Sequence, residues 1–199
     1  MTDKKATTSQ PILDAIANRW SPRAFADTPV STEQLQQLME AARWSASAFN
    51  AQPWRFIVAT QEKKAEYEKI LACLGEFNQA WAKRAPVLMI AVAETRFSHN
   101  DKPNRHGGYD TGQAVASLSI QATELGLVLH QMAGFSADAA RETFNIPDDY
   151  DPMAAIALGY RGNADQLSEP MQEKEVAPRT RKPFSEFVFS GTWGEATWE

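Results

Sequence analysis

Two short arginine-rich segments, far apart in the chain, have the residue types and spacing best suited to binding chemistry. The first spans residues 19–23 (RWSPR) and the second spans residues 179–182 (RTRK). A guanidinium group can bind two phosphate oxygens at once, and the Ser21 hydroxyl adds a further hydrogen-bond donor. Either segment alone also fits a solvated charged turn. Together they favour a site for one phosphate group.

A third segment, residues 47–54 (SAFNAQPW), brings two amide side chains close together in the sequence. The amides of Asn50 and Gln52 carry both donors and acceptors, which suits the edge of a heterocycle such as the pyrimidine ring of a flavin. The alternative is a helix-to-strand turn that is closed by local hydrogen bonds.

Familiar catalytic and metal-binding patterns are missing from the sequence. It contains no GxGxxG, P-loop, HExxH, GxSxG or CxxC motif. The single cysteine, Cys73, excludes an intramolecular disulfide and an all-cysteine metal site, and it fits a small buried hydrophobic residue. With only three histidines, no metal site is expected. His130 lies in an apolar stretch and fits a core or pocket-edge residue better than a general base.

Composition narrows the class of protein. The 199 residues are 43% hydrophobic and carry a net charge of −5, which is typical of one folded domain and unlike a disordered chain. Because 25 acidic residues outnumber 20 basic ones, nucleic-acid binding through a generally basic surface is disfavoured. We expect no membrane segment, since the longest apolar run, residues 85–93, is too short to span a bilayer. The polar N-terminus resembles no signal peptide, which predicts a cytoplasmic protein.

The positioning elements follow from hydrophobic spacing, capping residues and turn residues. Helices and short strands mixed in one unit predict an α+β or α/β domain. The predicted helices cover residues 12–19, 31–42, 61–74, 76–84, 109–125 and 137–144, and the predicted strands cover residues 54–60, 86–93, 127–133 and 153–160.

Two regions are each compatible with two placements in the fold. The helix over residues 109–125 has no charged residue between positions 111 and 123, which predicts either the centre of the fold or half of a subunit interface. Residues 161–199 are predicted to form an extended arm that ends in aromatic residues and docks on its own subunit or on another. Residues 1–10 are predicted to be flexible, and the whole chain to be one domain.

Taken in order, these segments resemble the nitroreductase family, whose members are FMN-dependent NAD(P)H oxidoreductases. The likeness runs from about residue 12 to the C-terminal tail and depends on four motifs, each weak alone. The motifs are R-x-S-x-R at Arg19, Ser21 and Arg23; S-x-x-N-x-Q-P-W at Ser47, Asn50, Gln52, Pro53 and Trp54; a Gly-Phe pair at Gly134 and Phe135; and a basic pair at Arg179 and Arg181.

The resemblance implies a three-layer α-β-α sandwich with a central, mostly antiparallel sheet flanked by helices. It also implies a homodimer with FMN at the interface and the C-terminal arm docked on the partner subunit. No catalytic side chain is expected, because the reactive centre is the N5 atom of the flavin. The resemblance implies that the FMN phosphate is bound by Arg19, Ser21, Arg179 and Arg181, and that Arg23 lies at the pyrimidine edge, where positive charge stabilises the ring after hydride uptake. It implies that Ser47 and Asn50 approach FMN from the partner subunit, with Gln52 in the same turn. It also implies that Gln131 and Met132 lie along the ring system and that Ala133 and Gly134 offer backbone N–H groups near N5.

Two positions depart from the family pattern. Asn78 matches an expected flavin contact, but the position of the expected neighbouring cation falls at Trp81, with Lys83 and Arg84 close by. Ala133 stands where some members carry glutamate, so a backbone contact is retained and a side-chain role is lost.

The resemblance implies ping-pong transfer of hydride from NAD(P)H through the flavin to nitroaromatics, quinones or related electron-poor acceptors. Phe97 and His99 could cover the pocket. The alternatives are another activity of the same family (dehydrogenation, dehalogenation or flavin cleavage) and a non-catalytic flavin-binding protein. No motif locates a cation for the 2′-phosphate of NADPH, so the sequence does not choose between NADH and NADPH.

Overall fold

The computed structural model describes residues 4–198, and each predicted helix and strand is present there with shifts of a few residues at its ends. The helices within this range are α1 (Asp14–Asn18), α2 (Thr32–Arg43), α3 (Lys64–Cys73), α4 (Glu76–Ala82), α5 (Gly107–Glu124), α6 (Ala137–Phe144) and α7 (Glu169–Val176). The strands are β1 (Trp54–Thr60), β2 (Val87–Glu94), β3 (Val128–Met132) and β4 (Tyr150–Gly159).

The four strands form one sheet in the order β1-β2-β4-β3, and every neighbouring pair is antiparallel. All eight residues of β2 are buried, as are residues 155–159 of β4. A continuous apolar run leaves no polar face toward solvent, which places these two strands at the centre of the sheet. The predicted antiparallel sheet is therefore confirmed.

Helices cover both faces of this sheet. Because side chains alternate along a strand, Leu88 and Ile90 pack in one core with α3, α4 and α6, whereas Val87 and Met89 pack in a second core with α2 and α5. The two cores lie on opposite sides of β2. The result is the predicted three-layer arrangement, helix on sheet on helix.

Strand β4 begins earlier than its apolar run indicates. Pro152 lies just before the predicted strand of residues 153–160, yet it belongs to β4, where the register against β2 shifts between Ala91 and Val92. Proline cannot donate a ladder hydrogen bond, and an irregularity in the ladder accommodates it. The strand therefore continues through a residue that sequence patterns assign to a turn.

The prediction of a wholly extended C-terminal arm is wrong for residues 169–176, which form α7. Pro170 lies in the first turn of this helix, where its missing N–H costs nothing. Farther along, Phe189 and Ala196 pair across a short hairpin, and Phe184 contacts both Phe187 and Trp198. The arm thus packs partly on itself, and its docking on a partner subunit stays a prediction.

Helix α5 is buried on one face only. Ala114, Leu118 and Ala122 pack against the sheet, while Tyr109 and the small residues Gly112 and Ala116 are exposed. The prediction that this uncharged helix lies at the centre of the fold is confirmed for the buried face. The exposed face, uncharged between residues 111 and 123, keeps the subunit-interface alternative open.

Candidate functional site

The arginine-rich segments meet in the folded chain. Arg19 directly follows α1, and Arg179 and Arg181 follow α7; all three border one cavity of about 240 Å³. Ser21 and Arg23 border the same cavity, and the Ser21 hydroxyl accepts a hydrogen bond from Nη1 of Arg19 at 3.3 Å. Five of the predicted residues are therefore neighbours, although about 155 residues separate the two segments in the sequence.

The cluster of Arg19, Arg179 and Arg181 is electrostatically suited to an anion. Burial lowers the pKa of Arg19, and the positive charges of the other two arginines lower it further. Burial and then Arg181 lower the pKa of Arg179. Like charges in a partly desolvated place repel each other, so a phosphate group there would stabilise all three.

Arg179 is held by backbone rather than by an acid. Its Nη1 atom donates to the carbonyl oxygen of Lys4 at 2.7 Å and to that of Ala17 at 2.9 Å. The Ala6 N–H also donates to the Ala17 carbonyl at 2.9 Å. Residues 4 and 6 of the segment expected to be flexible are thus tied to the body of the fold, and residues 1–3 lie outside the described residues. Residues 1–10 have no apolar pattern, so the sequence does not predict these contacts.

The backbone of the first arginine segment is fixed by an acid that the sequence analysis did not select. Glu175 of α7 is 3% exposed, and its carboxylate accepts hydrogen bonds from the N–H groups of Arg23 (3.0 and 3.1 Å) and Ala24 (3.1 Å). A buried carboxylate needs such donors to offset its lost hydration. In the sequence, Glu175 cannot be told from the other acids of α7.

Pairing with the end of β4 holds the same loop from its other side. The N–H of Ala26 donates to Tyr160, and the N–H of Gly162 donates to Ala24, each at 2.9 Å. A Cβ atom at position 162 would lie 2.5 Å from the carbonyl carbon of Phe25, so the close approach of the two segments requires glycine there.

The side chain of Arg23 has a hydrogen-bond donor without a partner among the described residues. Its Nε atom is buried and has no hydrogen-bond partner there, and its guanidinium lies 6.0 Å from the ring centre of Phe77. Buried donors are nearly always paired in native proteins. An acceptor on a bound ligand would satisfy this one, which fits the predicted contact with the pyrimidine edge of a flavin.

Gly134 lies at the end of β3, where α4 approaches it closely. Its carbonyl oxygen accepts bonds from Asn78 Nδ2 at 2.9 Å and from the Gly75 N–H at 3.0 Å. Ala133 and Gln131 are exposed beside it, as ligand contacts must be. Met132 differs: its side chain is 3% exposed and packs in the core, so only its backbone remains for a ligand.

Substituting alanine for Gly134 should lower the free energy of unfolding by about 1 kcal/mol, the worth of an ordinary hydrogen bond. A Cβ atom there would lie 2.7 Å from Nδ2 of Asn78 and would displace the amide from the Gly134 carbonyl. Denaturant unfolding of Gly134→Ala, Asn78→Ala and the double variant measures this. In the Asn78→Ala background the glycine substitution should cost little, and an unchanged cost would place the strain elsewhere.

Trp81 is a core residue and does not take the place of the missing family cation. It is 1% exposed and stacks on Phe25 with ring centres 6.2 Å apart. The ring of His130 lies 4.6 Å from that of Trp81, and its Nδ1 atom bonds to the Pro22 carbonyl at 2.9 Å. His130 thus supports the arginine loop from the core, and burial lowers its pKa to about 4. Lys83 is exposed.

The second predicted binding segment, residues 47–52, is a tight turn with unusual backbone angles. Phe49, Asn50 and Gln52 all have positive φ, at 54°, 55° and 50°. Non-glycine residues with such angles are uncommon and often occur at functional sites. Asn50 and Gln52 are both exposed.

Local bonds hold this turn in place. The Ser47 hydroxyl accepts the Gln52 N–H at 3.0 Å, and Arg55 donates to the Gln52 carbonyl at 3.0 Å. The buried carboxylate of Asp110, in the first turn of α5, accepts the Ala48 N–H at 3.0 Å. The local-turn alternative is therefore correct as a description of the backbone. The Gln52 Nε2 atom also donates to the Asn50 carbonyl at 3.2 Å, which leaves the Asn50 side chain and the Gln52 side-chain oxygen available.

The predicted site residues fall into two groups within one chain. One group surrounds the arginine cluster and continues past Arg23 to Gly134, and the other is the turn with Ser47, Asn50 and Gln52. Between residues 4 and 198, no hydrogen bond joins the turn to the arginine cluster. One chain thus holds a cluster suited to phosphate and, apart from it, an exposed amide turn.

Two further properties concern residues 4–198. No helix in that range is long and apolar enough to cross a membrane. No group of three or more His, Cys, Asp or Glu side chains there could hold a metal ion.

Comparison with known proteins agrees with this geometry. Residues 16–160 match the sequence model of the nitroreductase family. A solved structure described as an oxidoreductase containing FMN superposes with a TM-score of 0.91 at 32% identity, covering 98% of this chain and 99% of that chain. The major NAD(P)H-flavin oxidoreductase of Aliivibrio fischeri is 25% identical in an alignment that covers 90% of this chain and 98% of that protein.

A third relative is the NADH dehydrogenase of Thermus thermophilus, which is 29% identical in an alignment that covers 75% of this chain and 88% of the relative. The matched family region contains the first arginine segment, the amide turn and the Gly-Phe pair, and the antiparallel sheet between two helical layers is shared with the FMN-containing structure. The chain therefore belongs to the nitroreductase family.

Proposed function

We propose that this NAD(P)H-dependent flavin oxidoreductase binds FMN and reduces nitroaromatics, quinones or related electron-poor acceptors. The observation that carries the proposal is the convergence of Arg19, Arg179 and Arg181 on one cavity beside Ser21. Three clustered guanidinium groups and a hydroxyl match the oxygens of one phosphate. The FMN-containing relative and the flavin oxidoreductase relative support the same ligand class.

Arg23 is the residue that we place at the pyrimidine edge of the flavin. Glu175 fixes its backbone, and its buried Nε atom lacks a protein partner among the described residues. A fixed positive charge there stabilises negative charge that develops on the ring during hydride uptake. This contribution is electrostatic and needs no proton transfer from the protein.

The backbone of Ala133 and Gly134 forms the other end of the proposed site. The bonds from Asn78 and Gly75 to the Gly134 carbonyl hold this end rigidly against α4. We assign its N–H groups to the region of flavin N5. When bound, FMN supplies hydride transfer from NAD(P)H to the acceptor, and the protein orients the two substrates, which use the pocket in turn.

We place the exposed amide turn of residues 47–52 in the site of a partner subunit, so that a homodimer forms two complete sites. The lack of any hydrogen bond between the turn and the arginine cluster among residues 4–198 supports this arrangement. So do the exposed small residues of α5, Gly112 and Ala116, and the exposed Trp193 and Trp198 of the arm. Surfaces of this kind favour association over exposure to water. The cytoplasmic location stays a prediction.

The test is a visible absorption spectrum of purified protein after FMN addition and gel filtration. We expect flavin absorbance to stay with the protein, at the elution volume of a dimer, and to be bleached by anaerobic addition of NADH or NADPH. Steady-state oxidation of either nucleotide with a quinone then separates an enzyme from a pure flavin binder. A colourless protein after gel filtration would refute the proposal.

A further inference from the structure

Lys4 occupies a position that is unusual for a lysine near a chain terminus. It is 7% exposed, and it borders the same cavity of about 240 Å³ as Arg19, Ser21 and Arg179. Lysine is almost never buried unless it has partners. Its burial therefore needs an explanation, and its neighbours provide one.

The contacts of Lys4 tie it to both arginine segments. Its ammonium donates to the carbonyl of Ala177, and it lies 5.0 Å from the ring centre of Trp20, whose ring also has the guanidinium of Arg161 at 5.0 Å. Trp20 belongs to the first arginine segment, and Ala177 lies two residues before the second. The ammonium therefore stands at the junction of the two segments.

A short N-terminal strap, residues 4–8, continues along the arginine cluster. The Ala6 N–H donates to Ala17 at 2.9 Å, and the Lys4 carbonyl accepts the guanidinium of Arg179 at 2.7 Å. Thr7 and Thr8 border a second cavity of about 230 Å³, together with Arg19, Arg179 and Arg181. The strap thus covers one side of the cluster and orients one of its three arginines.

The charges around Lys4 have both signs. Glu175 attracts the ammonium, while Arg161 and Arg179 repel it, and burial lowers its pKa. The carboxylate of Glu175 is already engaged by the N–H groups of Arg23 and Ala24. A lysine ammonium has three N–H donors, and among residues 4–198 the Lys4 ammonium donates to one carbonyl, that of Ala177. Donors thus remain for an anion in the cavity.

We propose that Lys4 is a further binding residue for the FMN phosphate, and that the N-terminal strap holds Arg179 in the orientation that binding needs. The inference rests on the proposed function, since it takes the phosphate of FMN as the anion. It adds a cation from outside both arginine segments to the cavity that Arg19, Arg179 and Arg181 border. The phosphate then has positive charge on the side of the strap as well as on the side of the loop.

The test compares Lys4→Met with Lys5→Met, using FMN and riboflavin as ligands of the purified protein. Lys5 is exposed and pairs with Asp14 at 2.7 Å, so its substitution removes the same charge from the neighbouring residue without changing the cavity. We expect Lys4→Met to weaken FMN binding about tenfold, as lost charged hydrogen bonds do, and to leave riboflavin binding unchanged. Lys5→Met should change neither by more than about twofold.

Several outcomes decide the matter. Equal FMN affinity in Lys4→Met and wild type would overturn the inference, and so would an equal loss for FMN and riboflavin, because that indicates damage to the fold. Lys4→Arg should keep most of the FMN affinity, since it retains the charge. If wild-type protein binds FMN no better than riboflavin, the proposed phosphate site itself fails, whatever the Lys4 variants do.

Discussion

Replacing Arg19 and Arg181 together by alanine should weaken FMN binding at least about 100-fold. Each arginine would contribute a charged hydrogen bond to the phosphate, worth about 1.5–3 kcal/mol, and about 3 kcal/mol in total corresponds to roughly 100-fold in Kd. We choose the lower end of that range because the arginines repel each other when no anion is bound. Part of the lost attraction is thereby offset by relief of this repulsion.

The same repulsion predicts an opposite effect on the protein without flavin. Since Arg179 and Arg181 disfavour the charge of Arg19, the double variant should unfold at an equal or higher denaturant concentration than wild type when FMN is absent. With saturating FMN the order should reverse, because ligand binding stabilises wild type more. Fluorescence titration with FMN and denaturant unfolding with and without it measure both effects.

A charge-matched control separates the cluster from the net charge of the protein. Lys63 and Lys64 are exposed at the start of α3, far from the arginine segments in the sequence, and Lys63→Ala plus Lys64→Ala removes the same two charges. This pair should leave the FMN affinity within about twofold of wild type. If both double variants lose affinity equally, or if neither does, the cluster is not the phosphate site.

The helices and strands of this protein could be predicted from local patterns, whereas their arrangement in three layers around an antiparallel sheet was implied by the resemblance to the nitroreductase family. Residues 87–93 form an unbroken apolar run, and such a run between breaking residues has few places in a small fold other than a central strand. The capping box at Ser31 and Gln34 is likewise a local signal, and both of its hydrogen bonds are present. Sequence suffices where the neighbours in space are also neighbours in the chain.

Helix α7 was missed although its start is marked. Ser168 and Pro170 are typical of a helix N-terminus, but the helix has only eight residues and one buried side chain, Glu175. No apolar stripe reveals it, because apart from Met171, which packs against the core, the contacts shown for the helix are hydrogen bonds from the arginine loop to Glu175. Tertiary hydrogen bonds decided its structure, and sequence periodicity does not record them.

The candidate site likewise contains residues that the sequence identifies and residues that only the folded structure identifies. Arg19 and Arg181 could be selected by residue type and order, since phosphate binding needs cations wherever they come from. Lys4 and Glu175 could not, because a lysine in a polar tail and a glutamate among other acids have no distinguishing local pattern. Their roles depend on contacts across more than 150 residues, which only the folded chain supplies.

Lowering the pH should lower the free energy of unfolding through His130, and substituting this one residue should remove that effect. Burial lowers the pKa of His130 to about 4, against an ordinary value of 6.5. The nearby charges of Arg23 and Arg19 lower it as well, whereas hydrogen bonds to the backbone oppose the shift. The folded chain therefore keeps the ring neutral at a pH where the unfolded chain already binds a proton.

The sign follows from proton linkage. Between pH 6.5 and about 4 the unfolded state binds more protons at this histidine, so the free energy of unfolding falls as the pH falls. The contribution of neutral His130 is complete above pH 6.5 and is lost as the pH drops through the folded-state pKa. A shift of this size corresponds to about 3 kcal/mol over the whole window, of which about 2–3 kcal/mol is lost by pH 4.5.

Denaturant unfolding of the flavin-free protein at pH 7 and pH 4.5 measures the loss, and His130→Asn isolates it. Asparagine retains a donor for the Pro22 carbonyl, and it cannot titrate. The difference in unfolding free energy between the two pH values should be about 2–3 kcal/mol smaller in this variant than in wild type. His99→Asn, in an exposed loop, should keep the wild-type difference. If His130→Asn also keeps it, the acid loss belongs to carboxylates, and His130 does not hold the arginine loop by remaining neutral.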